Sequence, residues 1–413
     1  MCFDNQIIMT IFKEHKIDIK QLLDVIPEAL LSHLSAHTKV DYYSKTLQGK
    51  KMFYLLMYGL LENDRLSQRT LEDTFNDPVF KMLFNLDQDE SIRRSSISER
   101  LSKIDSSFFK QIYECIYDQF SELYSSCEGQ KHNLIRVDST IVSDVSGKMS
   151  EGLENNGRKA IKYTMAFDGI LPCLSEIFTA PAYSSEDNAL PQAVLNHIKQ
   201  EVGHQNIYLL DRGLQSTRNM QSFSKEKITF IARIKENRKY EELEPLITDK
   251  TPADLGTLVL LKDSIVNLYT GIPVKNKKGN IHHREELVTE PFRLIIARSK
   301  EDQSKEYWFT SNDFELSAQE ITDAYKRRWD IEVFFRFIKQ ELNVRHLISL
   351  NRNGIEVMLY MTLIVAMLVL IYKHANNIGY KTAKRRFTIE MRNLIISMIV
   401  VECGGDPAIF FKT

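Results

Sequence analysis

The sequence predicts an α/β domain with a mixed sheet, interrupted by a β-rich insertion and preceded by an all-helical N-terminal domain. Apolar residues recur at three- and four-residue spacing up to about residue 130, which is typical of amphipathic helices. From about residue 132, short β-like runs alternate with helical segments, as in α/β folds. Between residues 236 and 306 this alternation is replaced by β-like runs separated by charged turns.

Length and composition set wide limits on the number of structural units and on the class of protein. A chain of 413 residues is too long for one ordinary core, so we expect two to four structural units. The net charge of -1 argues mildly against a nucleic-acid-binding protein, although a local basic groove can be masked by acidic surface elsewhere. Five scattered cysteines without a C-x-x-C pair argue against a disulfide scaffold and a structural zinc site. The N-terminal residues lack a secretory-signal pattern, so we expect a cytoplasmic protein.

Residues 1–130 form the predicted helical domain, with amphipathic segments such as IDIKQLLDVIPEALLSHL and SSFFKQIYECIYDQFSELY. Between them, SIRRSSISERLSK resembles a helix N-terminus, with Arg93 and Arg94 just outside it. Basic residues at such a position could contact DNA, or they could belong to an ordinary solvated surface. Both interpretations stay open.

The α/β domain is predicted in two parts. Residues 131–235 contain the strand-like runs HNLIRVDSTIV, KAIKYTMAF, PCLSEIFTA, IYLLDRG and TFIARIK, with helical segments at 186–201 and from Leu214. The insertion, 236–306, contains TLVLL, SIVNLYTG and FRLIIAR. The second part, 307–375, begins with the strand EYWFTSN and continues into one long helix from Ala318 to Leu342, and residues 376–413 form a tail.

An apolar run from Val357 to Tyr372 could be mistaken for a membrane span. It is shorter than the ~18–20 residues that a span requires. We therefore expect a fully buried helix and no membrane association.

The helix from Ala318 to Leu342 carries a selective polar stripe. With Tyr325 at zero and about 100° per residue, Arg328, Glu332 and Lys339 fall near roughly 300°, 340° and 320°. Surface ion pairs at helical spacing are the ordinary explanation of such a stripe. The alternative is a functional face with one hydroxyl, two cations and one carboxylate.

The spacing Y-x2-R-x3-E-x6-K, within DAYKRRWDIEVFFRFIKQEL, resembles the signature of the insertion-sequence-four family of DDE transposases. This resemblance implies an RNase H-like catalytic domain whose three catalytic and metal-binding carboxylates are Asp138, Asp211 and Glu332. Asp138 lies within IRVDSTIV, where a carboxylate is costly unless it is paired or binds a cation. Asp211 ends the run YLLDRG.

Other interpretations of these aspartates remain. Asp138 could be a strand-end residue bonded to the backbone, and Asp211 could open a turn before Gly213. Three further carboxylates could assist or replace one of the three: Asp168, Glu176 and Asp187. Asp187 is the foremost rival, because SEDNALP also resembles a family segment.

The resemblance also implies the chemistry. Two Mg²⁺ ions about 3.5–4 Å apart can activate the attacking oxygen and stabilise the leaving oxygen in phosphodiester cleavage, and Mn²⁺ may substitute. The expected partner is double-stranded DNA, both the terminal inverted repeats and the target, bound by a homodimer in a synaptic complex with a DNA hairpin intermediate.

The implied DNA-binding residues surround the third carboxylate. Arg328 and Lys339 would hold phosphates and Tyr325 would hydrogen-bond one of them. Trp308 would stack on a flipped base, or would be part of the core. The neighbouring Arg327 and Arg336 complete the set. Two other functions stay open: a metal nuclease that does not join strands, and an inactive remnant that only binds DNA.

Overall fold

The computed structural model describes most of the chain. The described residues are 26–63, 65–125, 132–144, 146–200, 206–247, 253–275 and 281–407. The first part of the predicted helical segment IDIKQLLDVIPEALLSHL, IDIKQLLDV, lies outside these residues.

Helices lie at both ends of the chain and in two connections within the sheet. In the described residues they are, as α1 to α12, Glu28–Thr38, Gly49–Glu62, Gln68–Asn76, Pro78–Leu83, Arg94–Lys103, Ser106–Ser125, Glu186–Gln200, Thr217–Lys225, Ala318–Lys326, Trp329–Glu341, Arg352–Ala375 and Tyr380–Glu402. Helix α5 begins at Arg94, so Arg94 lies inside its first turn and only Arg93 precedes it. Both arginines are exposed.

The strands form one mixed sheet. In chain order, as β1 to β12, they are Asn133–Ser143, Leu153–Asn155, Arg158–Phe167, Pro172–Phe178, Asn206–Leu210, Thr229–Ile234, Tyr240–Pro245, Ala253–Leu255, Leu258–Lys275, Ile281–Leu287, Phe292–Ser299 and Glu306–Ser311. The five strands predicted for the first part of the α/β domain are confirmed as β1, β3, β4, β5 and β6.

The centre of the sheet has RNase H-like topology. Strands β1, β3 and β4 form an antiparallel meander, and β5 and then β6 add in parallel on the other side of β1. Helix α7 connects β4 to β5, and α8 connects β5 to β6. The predicted fold class is therefore confirmed.

The β-rich insertion extends this same sheet. Strand β12 pairs with β6, β11 with β12, and β9 with β11, all antiparallel. The runs TLVLL and SIVNLYTG, which were predicted as separate, belong to a single 18-residue strand, β9. Its length lets it pair with β7, β8, β10 and β11.

One hydrophobic core joins the helices from the two ends of the chain. It contains buried side chains of α1 to α6, of α10 to α12 and of one face of β3. Helix α11 lies at its centre against α2, α5, α6 and α12. It is the one helix among the described residues that is long and apolar enough to cross a membrane, yet 83% of its most apolar window is buried inside the protein. The predicted buried helix is confirmed.

The predicted tail is largely a helix. Residues Tyr380–Glu402 form α12, which packs on α2, α4, α10 and α11. Its buried residues Ala383, Phe387 and Met391 lie at four-residue spacing, which is the pattern of one helix face. The end of the described chain therefore belongs to the helical core.

The predicted helix from Ala318 to Leu342 is broken, which corrects the sequence analysis. Helix α9 ends at Lys326 and α10 begins at Trp329. The buried guanidinium of Arg136 on β1 donates to the Arg327 carbonyl at 3.1 Å and to Asp330 at 3.0 Å. It also donates to the carbonyls of Leu134 and Asp168. Because this buried cation binds a carbonyl at the break, it ties the start of α10 to the sheet.

Replacing Arg136 with Met should lower the free energy of unfolding by about 3 kcal/mol, because buried carbonyl groups and Asp330 would lose their partner. Urea denaturation followed by circular dichroism measures the change. Arg327→Met is the matched control, since the Arg327 side chain is exposed, and should change stability by less than about 0.5 kcal/mol. Equal losses in both variants would show that Arg136 does not stabilise the break.

Candidate catalytic site

Strand pairing brings two aspartates together. Strands β1 and β5 are parallel, and Val137 pairs with Leu210. The next residue in each case is an aspartate, so Asp138, within β1, and Asp211, directly after β5, lie side by side. The two carboxylates are close enough for the charge of Asp211 to raise the pKa of Asp138.

Asp138 is largely buried, with 16% of its side chain exposed. Its Oδ1 accepts the Ser139 backbone N–H at 2.7 Å, and its Oδ2 lies 3.5 Å from Nη1 of Arg328. Burial first, and then repulsion by Asp211, raise the pKa of Asp138 to about 7, although the Ser139 N–H and Arg328 act in the opposite direction. In the absence of a cation, the charged form of Asp138 is therefore disfavoured, mainly by its burial.

Asp211 also performs the local role considered above. Its Oδ1 accepts the Gly213 N–H at 2.6 Å, so it opens the turn that follows β5. A Cβ atom on Gly213 would lie 2.7 Å from this same oxygen. Asp211 can therefore open the turn after β5 and lie beside Asp138 at the same time.

The third carboxylate is linked to the first by an arginine. Arg328 donates to Glu332, four residues later on α10, and approaches Asp138 with its other terminal nitrogen. Only 12% of the Arg328 side chain is exposed. Its guanidinium thus lies between Asp138 and Glu332.

Tyr325 and Lys339 join the same cluster. The Arg328 guanidinium lies 5.9 Å from the Tyr325 ring centre. Burial raises the pKa of Tyr325 to about 12, with Arg328 opposing and Asp211 adding to the rise. The pKa of Lys339 is lowered by burial and by Arg345, while Asp138 opposes this change. Both residues are therefore within electrostatic reach of the aspartates.

The remaining predicted DNA-binding residues differ in position. Arg327 and Arg336 are exposed at the start and along the length of α10. Trp308 is not brought to the carboxylates: it points to the opposite face of the sheet, where it packs edge-to-face against Tyr240 at 6.0 Å. This packing favours the core alternative for Trp308. The exposed indole beside Arg328 is Trp329, which is 55% exposed and was not singled out from sequence.

The rival carboxylates are engaged in local structure. Asp187 accepts the backbone N–H groups of Gln215 and Ser216 at 2.6 and 2.7 Å, and so fixes the loop after Asp211. Asp168 accepts two backbone N–H groups in the β3–β4 turn. Glu176 pairs with Asn196.

Sequence analysis missed a charged pair beside the site. Glu186, the residue before Asp187, interacts with Ser139 and with the buried Lys162 of β3. The charge of Glu186 also raises the pKa of Asp138. A lysine inside the apolar run KAIKYTMAF was the available signal, because a buried cation requires a partner.

The three carboxylates fit a divalent metal by their chemistry, because hard cations such as Mg²⁺ prefer oxygen ligands. In the described part of the chain, no three His, Cys, Asp or Glu side chains are gathered at metal-binding separations. Arg328 lies between Asp138 and Glu332. A bound cation would stabilise the charged form of Asp138, which burial and the charge of Asp211 disfavour.

An RNase H-like sheet with two adjacent aspartates and a nearby helical glutamate is the arrangement expected of a DDE-type DNA transposase. The family model described as "Transposase DDE domain" matches residues 129–368, and the chain belongs to this family. It is an enzyme that acts on DNA, and domains of this family generally use divalent metal ions.

Several proteins are similar to the chain. The putative transposase for insertion sequence element IS4SA of Synechocystis sp. is 26% identical over 82% of this chain and 85% of its own length. The probable transposase for insertion sequence element IS5377 of Geobacillus stearothermophilus is 22% identical over 67% of this chain and 66% of its own length. A cryo-EM structure of the piggyBac transposase synaptic complex with hairpin DNA aligns with a TM-score of 0.45 and 10% identity, over 94% of this chain and 81% of that one.

Replacing Asp138 with Asn should raise the melting temperature of the metal-free protein at pH 8 by a few degrees. The folded pKa of about 7 exceeds the unfolded value, so wild-type stability falls as pH rises between about pH 4 and pH 7. The gain should therefore be small at about pH 4–5 and reach its maximum above about pH 7. Thermal denaturation in a chelator across this range measures it, with the exposed Asp89→Asn as control. A gain that is independent of pH would contradict the burial of a charge at Asp138.

Proposed function

We propose that this transposase cleaves DNA at the ends of an insertion sequence and transfers the freed strand into target DNA. The observation that carries this proposal is the convergence of Asp138 and Asp211 on adjacent parallel strands, with Glu332 linked to Asp138 through Arg328. The relatives in Synechocystis and Geobacillus are named for insertion sequence elements, which supports the same substrate here.

Asp138, Asp211 and Glu332 would hold the metal ions, for which we propose two Mg²⁺ with Mn²⁺ as a substitute. When bound, such ions activate the attacking oxygen and stabilise the leaving oxygen. The protein's own residues prepare the site: burial keeps water away from Asp138, and Arg328 neutralises part of the carboxylate charge until substrate binds. A guanidinium can bind phosphate with two parallel hydrogen bonds, so an incoming phosphate competes with Glu332 for Arg328.

The surface around α10 fits double-stranded DNA. Arg327 and Arg336 are exposed, and the half-buried Tyr325 and Lys339 lie beside the carboxylates. We assign to these residues, with Arg328, the phosphate contacts at the terminal inverted repeats and at the target. We further propose a homodimer that holds two ends, a hairpin intermediate, and a cytoplasmic location at the nucleoid. The exposed Arg93 and Arg94 extend the DNA-binding role to the N-terminal helices.

Replacing Asp138, Asp211 or Glu332 with Ala should each abolish cleavage, while binding of an end duplex stays within about threefold of wild type. Cleavage is followed on labelled end DNA with Mg²⁺ or Mn²⁺, and binding by gel shift. Asp323→Ala removes an exposed carboxylate from α9 and is the control. Normal cutting by any of the three variants refutes its assignment. Cutting without joining supports a nuclease, and a wild type that binds but never cuts supports a DNA-binding remnant.

Lys339→Ala should weaken binding of the end duplex and reduce the salt slope of log affinity by about one, because one phosphate contact is lost. Fluorescence anisotropy over a range of salt concentrations measures both. Lys326→Ala is the matched control, since Lys326 is exposed on α9 and paired with Asp323. If both variants change the slope equally, the effect belongs to general charge and not to Lys339.

A further inference from the structure

A fully buried lysine lies on the strand next to that of Asp138, opposite Ile141. Lys162 is on β3, the neighbour of β1, and its side chain has no exposed surface. Its Nζ donates to the Ser184 carbonyl at 2.8 Å and to Oε1 of Glu186 at 2.9 Å. A buried ammonium group is costly unless it is paired with a negative charge. Lys162 therefore fixes the Glu186 carboxylate at a defined place.

Glu186 is the first residue of α7 and lies between the elements that carry the two aspartates. Both of its carboxylate oxygens are within hydrogen-bond distance of Oγ of Ser139, at 2.7 and 2.6 Å, and Ser139 directly follows Asp138. On its other side, a Cβ atom on Gly213 would lie 2.7 Å from Cγ of Glu186. Only a glycine allows the turn after Asp211 to approach Glu186 this closely.

These contacts give Glu186 two opposed properties. Its position connects the strand of Asp138 to the turn of Asp211, as a spacer between them would. Its charge, however, repels that of Asp138. Without Lys162 the region would contain one more uncompensated carboxylate beside a pair that already repel each other.

We propose that Glu186 is a positioning residue that sets the separation of Asp138 and Asp211, and that Lys162 cancels its charge so that the pair keeps its affinity for metal ions within a narrow range. This proposal rests on the metal-binding role proposed above for the two aspartates. It adds to the site a charged strut formed by Ser139, Glu186 and Lys162.

Calcium binding to the full-length protein without DNA tests the charge of this strut. Glu186→Gln keeps the size and the acceptor for Ser139 but leaves Lys162 uncompensated, so Ca²⁺ should bind roughly three- to tenfold more weakly. Lys162→Met leaves Glu186 uncompensated, so Ca²⁺ should bind more tightly by a similar factor. The double variant should return close to wild type. Isothermal titration calorimetry measures all four proteins.

Opposite shifts support the proposal, because a purely structural role would weaken both single variants or leave both unchanged. Shifts in the same direction, or no shift, overturn it. Thermal denaturation checks that each variant is folded.

A second pair of variants tests the positioning if Lys162→Met does not fold. Ser139→Ala removes the hydroxyl that donates to Glu186, and should lower kcat for end cleavage about tenfold without changing the Kd for end DNA. Ser139→Thr keeps a hydroxyl and should restore most of the rate. Equal rates for Ala, Thr and wild type overturn the positioning role. Normal cleavage by Asp138→Ala would instead overturn the proposed function itself, so the two failures are distinguishable.

Discussion

The parallel pairing of β1 with β5 is the constraint on which the site depends. It places Asp138 and Asp211 at corresponding positions on adjacent strands, at the edge of a buried layer. Two carboxylates that are close together and partly withdrawn from water repel each other, and the fold pays for this arrangement in stability. Under the proposed metal-binding role, a divalent cation held by both carboxylates would turn this repulsion into a net attraction.

The cations around the two aspartates differ in how firmly the fold holds them. The Arg328 side chain lies against Asp138, Glu332 and the Tyr325 ring, which are all side chains that can move, so it can exchange partners. Lys162 and Arg136 are fully buried and bound to backbone carbonyls as well as to carboxylates, so they are fixed. Lys162 and Arg136 therefore hold the scaffold, whereas Arg328 lies among the candidate catalytic carboxylates.

Elements with a local cause were predictable from sequence. Strands β1, β3, β4, β5 and β6 follow from apolar runs bounded by turn residues. Arg328 and Glu332 are in contact at the four-residue spacing of a helix, and the Tyr325 ring lies near Arg328 across the break. The assignments of individual catalytic and DNA-binding roles stay predictions.

Features with a distant cause were not predictable. The break between α9 and α10 is bound by Arg136, which is 191 residues away in sequence. The face on which Trp308 lies depends on the strand that pairs with it, and the role of Glu186 depends on Lys162 of another element. Sequence periodicity contains no information about partners that only the folded sheet brings together.

The shared helical core determines how long the early helices lack their central partner during synthesis on the ribosome. Helices α1 to α6 end at Ser125, but their central partner α11 begins at Arg352. At about 5–20 residues per second, the early helices wait roughly 10–50 s before that partner is made. During this time the apolar surface that α11 covers in the folded protein stays open, which exposes the nascent chain to aggregation and proteolysis. A gene copy that stops before α11 would leave those faces uncovered permanently.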